Sequence, residues 1–385
     1  MTKITDFERH NQEVKAVWDA FNKGEPTRAP IVYGVSTRYT MFQEEANPRG
    51  ITFKEYSQKP EVMFTRLLEH ADWVRHNVPQ DAEMGLPKEG WSLCVDFQNY
   101  FEAGWFGSPI EYCDGQVPDA APFLDDDHKR LLFDWGLPDP FTHNLMKRNM
   151  VFWEYFRARA KGYTYKGLPV ADIRPSGMGT DGPFTVAASI RGAASICEDI
   201  YADPEYVHQL MDYITEATIH RIKAYRGLVG DPERSQGLGF ADDSVQLLSV
   251  DTYKEFVLPY HRRLVAALSR GGRNSIHLCG DATHLFKTLQ DELDVQTFDT
   301  GFPVDFARLR EELGEGAQIN GGPHVALLKS GPSDAIEAEA KRILSSGVTK
   351  GGKFVLREGN NLSPGTPVEH LYTMYEAGKR YGAYA

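Results

Sequence analysis

Short apolar, β-branched runs alternate with segments of helical period along nearly the whole chain, and this alternation limits the fold more than any other feature. The run at 30–36 is continuously apolar, as a strand buried on both faces of a parallel sheet should be. Further strands are expected at 72–77, 168–174, 237–243, 275–279, 295–300, 317–320 and 353–356. Helices are expected at 7–22, 53–70, 145–160, 204–225, 252–268, 284–292, 306–313, 333–344 and 367–381, the first stopped by Lys23-Gly24-Glu25-Pro26. Eight strands separated by helices is the number that closes a (β/α)₈ barrel. The fold class is therefore α/β, a TIM-type barrel with an N-terminal helix, and residues 1–385 form a single domain without a linker. The region at 83–118 interrupts the alternation with Trp91-Ser-Leu-Cys-Val-Asp-Phe97, a turn at Gly104 and Glu111-Tyr-Cys-Asp-Gly115, and reads as a β-hairpin insertion on the barrel rim. Its aromatic residues either pack that hairpin or cover a substrate. An open doubly wound sheet is disfavoured, because no glycine loop has the Gly-x-Gly-x-x-Gly spacing after the first strand.

Composition narrows the function. The formal charge of −12 and the lack of any basic run exclude a nucleic-acid or anionic-membrane footprint. The N-terminus carries charges where a signal peptide needs an apolar core, and no stretch is apolar enough to span a membrane, so a cytoplasmic protein is expected. Four scattered cysteines, Cys94, Cys113, Cys197 and Cys279, are too few for a disulfide framework and are expected to be reduced.

Barrels of this kind carry their chemistry at the C-terminal ends of the strands. Those ends are polar here: Arg38 and Tyr39, Asp81, Arg174 and Ser176, Asp242 and Asp243, His277, Cys279 and Asp281, Asp299, Asn320 and His324, then Glu358, Asn360 and Asn361. In a strand, His277 and Cys279 point to the same face, which sets an imidazole beside a thiol. Both are preferred zinc donors, although a firm site needs a third protein ligand. Read singly, His277 is also a hydrogen-bonded core histidine, Cys279 a small buried hydrophobe, Asp242 a helix cap and Asn320 a turn residue.

Gly182-Pro-Phe-Thr185, Arg191-Gly192, Asp203-Pro-Glu205, Asp242-Asp243 followed by Phe256 and Pro259-Tyr260, His277-Leu-Cys-Gly280, Val304-Asp305, Gly321-Gly-Pro323 and Thr366-Pro367 together resemble the uroporphyrinogen decarboxylase superfamily. The resemblance runs from about Pro30 to the C-terminus, with the region around Trp91 to Tyr112 fitting least well, and implies a (β/α)₈ barrel. True uroporphyrinogen decarboxylases use no cofactor and carry a Pro-Val-Trp-Phe-Met-Arg-Gln-Ala-Gly-Arg-Tyr segment, whose arginines grip substrate carboxylates. Here Pro30-Ile-Val-Tyr-Gly-Val-Ser-Thr-Arg-Tyr39 keeps only Arg38-Tyr39, which disfavours that chemistry. The zinc methyltransferase branch, which serves corrinoid proteins, is similar at His277 and Cys279. Its third metal ligand, a cysteine after the last strand, is replaced by Asn360.

The resemblance thus implies a methyltransferase that moves a methyl group between a small molecule, either a methoxylated compound or a thiol, and a corrinoid (cobalamin) carried by a partner protein. Zinc is expected at His277, Cys279 and Glu358, with Asp242 and Asp299 as other carboxylates able to stand in for the missing cysteine. Asp242, Asp243 and His324 are the candidate proton donors. Arg38, Tyr39, Asp81, Asn320 and Asn360 are the candidate substrate-binding residues. A homodimer is expected. The alternative reading is a cofactor-free decarboxylase of a tetrapyrrole or related carboxylated substrate, and a third is a binding protein that keeps the barrel without catalysis.

Overall fold

A computed structural model describes residues 3–384. The N-terminal helix, Phe7–Lys23, is opened by the Asp6 carboxylate accepting from Arg9 N (3.1 Å) and stopped by Gly24 in the left-handed region (φ 79°). The next helical stretch is longer than expected. It forms two helices, Phe53–Gln58 and Pro60–Asn77, and the second absorbs the strand expected at 72–77. The physical reason is that Phe64, Leu67, Leu68, Ala71 and Val74 continue one helical stripe until Pro79 ends it.

The strands are β1 (Trp91–Cys94), β2 (Ile110–Glu111), β3 (Asp119–Ala120), β4 (Thr164–Tyr165), β5 (Leu168–Arg174), β6 (Gly239–Ala241), β7 (Asn274–Leu278), β8 (Val295–Thr300), β9 (Gln318–Gly321) and β10 (Phe354–Leu356). The alternation seen from Trp91 is real, but it does not build a hairpin. β1 pairs in parallel with β5, in a sheet with it rather than in a hairpin with the segment that follows. The actual antiparallel pair beyond it is the short β2–β3 ladder, which follows a helix at Phe101–Phe106. Trp91, Tyr100, Trp105 and Phe106 are all buried and therefore pack the interior.

β6 to β10 form one parallel sheet in chain order. Its register aligns Ile276, Phe298, Ile319 and Phe354 in an apolar row, each buried, and on the opposite pleat His277, Asp299 and Asn320 in a polar row. The run from Pro30 joins the outer edge of β10: Leu356 N donates to Pro30 O (2.8 Å) and Val32 N to Leu356 O (3.0 Å). Among the described residues the ladders do not close into one ring. Between β5 and β6 the connection is the amide of Ala241 donating to Thr180 O (3.2 Å). Buried apolar residues fall into two clusters, a large one along β6 to β10 and their helices, and a smaller one around Phe64, Trp91, Phe97 and Phe152. No described helix is long and apolar enough to cross a membrane.

Candidate functional site

The polar row of the sheet leads to a cluster at the strand ends. Ligand atoms of Asp243, His277 and Cys279 lie within 4.8 Å of one another, each side chain partly exposed. β7 supplies His277, and Cys279 lies just beyond its end, on the same pleat, while Asp243 follows β6 and is tied to its neighbour by the Cys279 amide donating to its Oδ1 (2.7 Å). His277 Nδ1 hydrogen-bonds Asp299 Oδ2 (2.7 Å), an arrangement that makes Nδ1 the donor and leaves Nε2 available. Burial by itself would lower the His277 pKa, but the hydrogen bond and charge of Asp299, with Asp243 adding to them, raise it overall. Burial, reinforced by Asp243, pushes the Cys279 thiol up to about 12, so without a metal it is no thiolate nucleophile at neutral pH.

Behind this cluster, Arg357 Nη1 donates to Asp299 Oδ2 (2.7 Å) and Nη2 to Glu358 Oε1 (3.1 Å), and Glu358 Oε1 also accepts from Gly34 N (2.8 Å). Glu358 therefore faces Gly34, in the run after Pro30, and Arg357. It is not part of the Asp243–His277–Cys279 group, and the carboxylate that lies with His277 and Cys279 is that of Asp243 rather than the expected Glu358. Its carboxyl is raised to about 7, chiefly by burial, against the opposing charge of Arg357. Arg357 was not singled out from the sequence. The signal was present in the alternation of Val355 and Arg357 along the last strand, since Val355 pairs with Asn320 of the polar row.

The other expected site residues separate by role. Asp242 is fully buried and accepts from Phe184 N (3.1 Å), Thr185 N (2.7 Å), Thr185 Oγ1 (2.7 Å) and His261 Nε2 (2.8 Å), so it anchors the start of the helix Pro183–Arg191 instead of facing the mouth. His324 is exposed at the start of the helix Val325–Ser330, its Nδ1 accepting from Ala326 N (2.8 Å). Asp81 is buried against Arg28 (2.5 Å) and accepts from Ile31 N (2.7 Å), and Tyr39 is buried with its hydroxyl donating to Thr366 O (2.8 Å). Both hold the run after Pro30 and its sequel in place. Arg38 is half-buried and donates to Gln98 Oε1 (2.7 Å) and Asn99 Oδ1 (2.8 Å). Asn320 accepts from Gln318 Nε2 (2.9 Å), and Asn360 follows Glu358 with φ of 121°.

A buried clamp was missed altogether. Arg221, on the helix Pro204–Val229, pairs with Glu102 and donates to Gly177 O (2.9 Å) and Gly179 O (3.0 Å), while Glu102 Oε2 accepts from Thr180 Oγ1 (3.1 Å) and Asp181 N (2.5 Å). It shapes the glycine-rich loop after β5, and no sequence pattern links residues so far apart.

A model of the uroporphyrinogen decarboxylase (URO-D) family matches residues 172–381, just over half of the chain. The chain belongs to that family. A methylated-thiol–coenzyme M methyltransferase of Methanosarcina mazei is 29% identical over 205 residues, 51% of this chain and 51% of the relative. A uroporphyrinogen decarboxylase of Geobacter metallireducens is also 29% identical over 205 residues, 51% of this chain and 58% of the relative. The chain thus spans about half the length of these curated relatives in the match. A solved methyltransferase structure from Methanosarcina mazei superposes with a TM-score of 0.64 at 19% identity, covering 96% of this chain and 99% of that one, which supports the fold. Within the matched range, Gly182 and Thr185 belong to the helix start anchored by Asp242, while His277 and Cys279 belong to the cluster.

Proposed function

We propose that this member of the uroporphyrinogen decarboxylase family is a single-domain methyltransferase that moves a methyl group between a small molecule and a protein-bound corrinoid, with zinc held by Asp243, His277 and Cys279. The observation that carries the reading is the convergence of these three side chains within 4.8 Å. The donor set fits: carboxylate oxygen, imidazole nitrogen and thiolate sulfur are all zinc ligands, and three protein ligands leave a position for a substrate atom. When bound, zinc supplies Lewis acidity, polarising an ether oxygen or stabilising a thiolate. Asp299 fixes the His277 ring through Nδ1 and is itself held by Arg357, which is the support that metal-binding histidines receive from an outer carboxylate. Arg38 stands at the mouth among neutral amide partners, ready to orient a polar substrate group.

Metal analysis of the purified protein tests the claim. Stoichiometric zinc is expected in the wild type and none in His277→Ala, and its absence from both rules the site out. Paired assays with a methylated corrinoid protein and with uroporphyrinogen then separate methyl transfer from decarboxylation, the reading that the equally similar decarboxylase relatives support. Carbon dioxide release without corrinoid methylation would establish the second reading.

A further inference from the structure

β5 has strands beside it along only part of its length. β1 takes one edge, and β4 covers the other at Leu168 and Pro169 alone, so from Val170 to Ile173 no described strand lies along that side. The ladder with β1 passes from Val170 to Asp172, which leaves the exposed Ala171 without an opposite residue. A groove of about 580 Å³ runs here between β5 and the end of the helix Leu145–Ala160, lined by Arg157, Ala158 and Lys161 on the helical side and by residues 170–173 on the other. Consecutive strand residues alternate faces, so a groove that touches all four follows the edge of the strand. Arg157 and Lys161 are exposed, and neither has a carboxylate partner among the described residues. Arg157 is held instead over the Trp153 ring at 4.6 Å, and Trp153 Nε1 donates to Ile173 O (3.2 Å), which ties this end of the helix to the strand. Asp172 is turned to Arg174 (3.5 Å) and does not neutralise the two cations. Four helical residues separate those cations by about 6 Å along the axis, close to the spacing of about 6.6 Å between alternate residues of an extended strand.

We propose that this groove receives an extended acidic segment of a partner protein, added as a strand along the open edge of β5, with carboxylates at alternate positions meeting Arg157 and Lys161. In this mode of recognition, backbone pairing along a free edge supplies the affinity and side chains at every second position supply the choice of partner. Glu154 lies in the same groove, seven residues before Lys161, and repels further carboxylates or a run of phosphates at that end. Pairing of two copies through this edge is opposed, since it would bring the like charges of both together. The inference stands apart from the methyl-transfer reading.

Fluorescence anisotropy of the full chain at low salt tests it, with labelled acetyl-Thr-Val-Glu-Val-Glu-Val-Thr-amide as the probe. Saturable binding is expected, and roughly tenfold weaker binding when lysine replaces both glutamates of the peptide. N-methylation of every second amide, placed in either register in two further peptides, should abolish binding in one and spare it in the other, as pairing along one edge requires. Arg157→Gln combined with Lys161→Gln is expected to cost about tenfold, the value of two exposed ion pairs, whereas Lys147→Gln combined with Arg148→Gln, on the same helix outside the groove, should leave binding unchanged. Absence of saturable binding, equal binding of the lysine peptide, equal effects of the two N-methylated registers, equal losses in the two double variants, or tighter binding of a single-stranded oligouridylate would overturn the proposal. A dimer in analytical ultracentrifugation that Ala171→Pro dissolves would assign the edge to a second copy, and would overturn it as well.

Discussion

At Gly34 a single missing methyl group sets how closely the run after Pro30 approaches the segment that follows β10. A Cβ there would stand 2.5 Å from Arg357 Nη2 and 2.7 Å from both Asn361 Oδ1 and Glu358 Oε1, so Gly34→Ala must displace the arginine or lose the amide bond to Glu358. Asp299 acts one step further in. Asp299→Asn keeps its size but weakens the hold on His277 Nδ1, and zinc affinity is expected to fall about 10–100-fold with little change in melting temperature, read by competition with a chromophoric chelator. Unchanged affinity would show that Asp299 does not orient the ligand. Glu358 gives a pH prediction with a definite sign. Its carboxyl is raised from 4.5 to about 7, so the folded state binds the proton more tightly than the unfolded chain does. The resulting stabilisation is complete below about pH 4.5 and is lost as pH rises through about 7, an effect on the order of 3 kcal/mol for a shift of this size. Urea unfolding of wild type and Glu358→Gln should therefore differ by an amount that depends on pH over this window, the wild type losing relative stability as pH rises. A difference that is flat with pH would refute the assignment.

Among the elements, the helix Pro183–Arg191 shows why strand-end residues divide between structure and chemistry. Its first amides point at Asp242, and Gly182, at φ 86°, lies so close to Ala241 and Asp242 that no side chain fits. Removing the carboxylate in Asp242→Ala leaves two amides, a hydroxyl and His261 without their acceptor, and is expected to cost about 3–5 kcal/mol in unfolding free energy. A loss under about 1 kcal/mol would mean that water replaces the carboxylate and the helix does not depend on it. Its neighbour Asp243 turns instead toward Cys279 N (2.7 Å), so the pair Asp242-Asp243 splits between an anchor for the helix and a member of the cluster. Sequence reasoning grouped the two as proton donors because adjacent carboxylates look alike until the backbone directs them to opposite sides. Similarly, the regular helices at 145–160, 306–313 and 333–344 were legible from spacing alone, since each has one buried stripe. The strand expected at 72–77 was not, because its apolar residues belong equally to the helical stripe that runs into it.

For the molecule as a whole, order along the chain was easier to read than pairing across it. The parallel strands from Gly239 onward lie where alternation put them, and His277 and Cys279 share a face as the two-residue period requires. What escaped detection were relations between distant segments: β1 beside β5, Arg221 on Glu102, and Asp243 rather than Glu358 beside His277 and Cys279. Such pairings depend on chain topology, which local period does not encode. That topology carries a last prediction. All three proposed metal ligands belong to the ends of β6 and β7, neighbours in one sheet, whereas β1 and β5 lie in another, joined to the β6 end through the segment after β5, where Ala241 N donates to Thr180 O and Asp242 accepts from Phe184 N and Thr185 N. The site is therefore assembled before metal arrives, and binding should tighten only its own edge. In amide hydrogen exchange, zinc is expected to slow the Cys279 amide, which donates to Asp243, while the amides of Trp91–Cys94 keep their rates. Equal slowing in both sheets would show instead that the metal draws the two halves together, and that the gap between β5 and β6 is where the fold adjusts to its ligand.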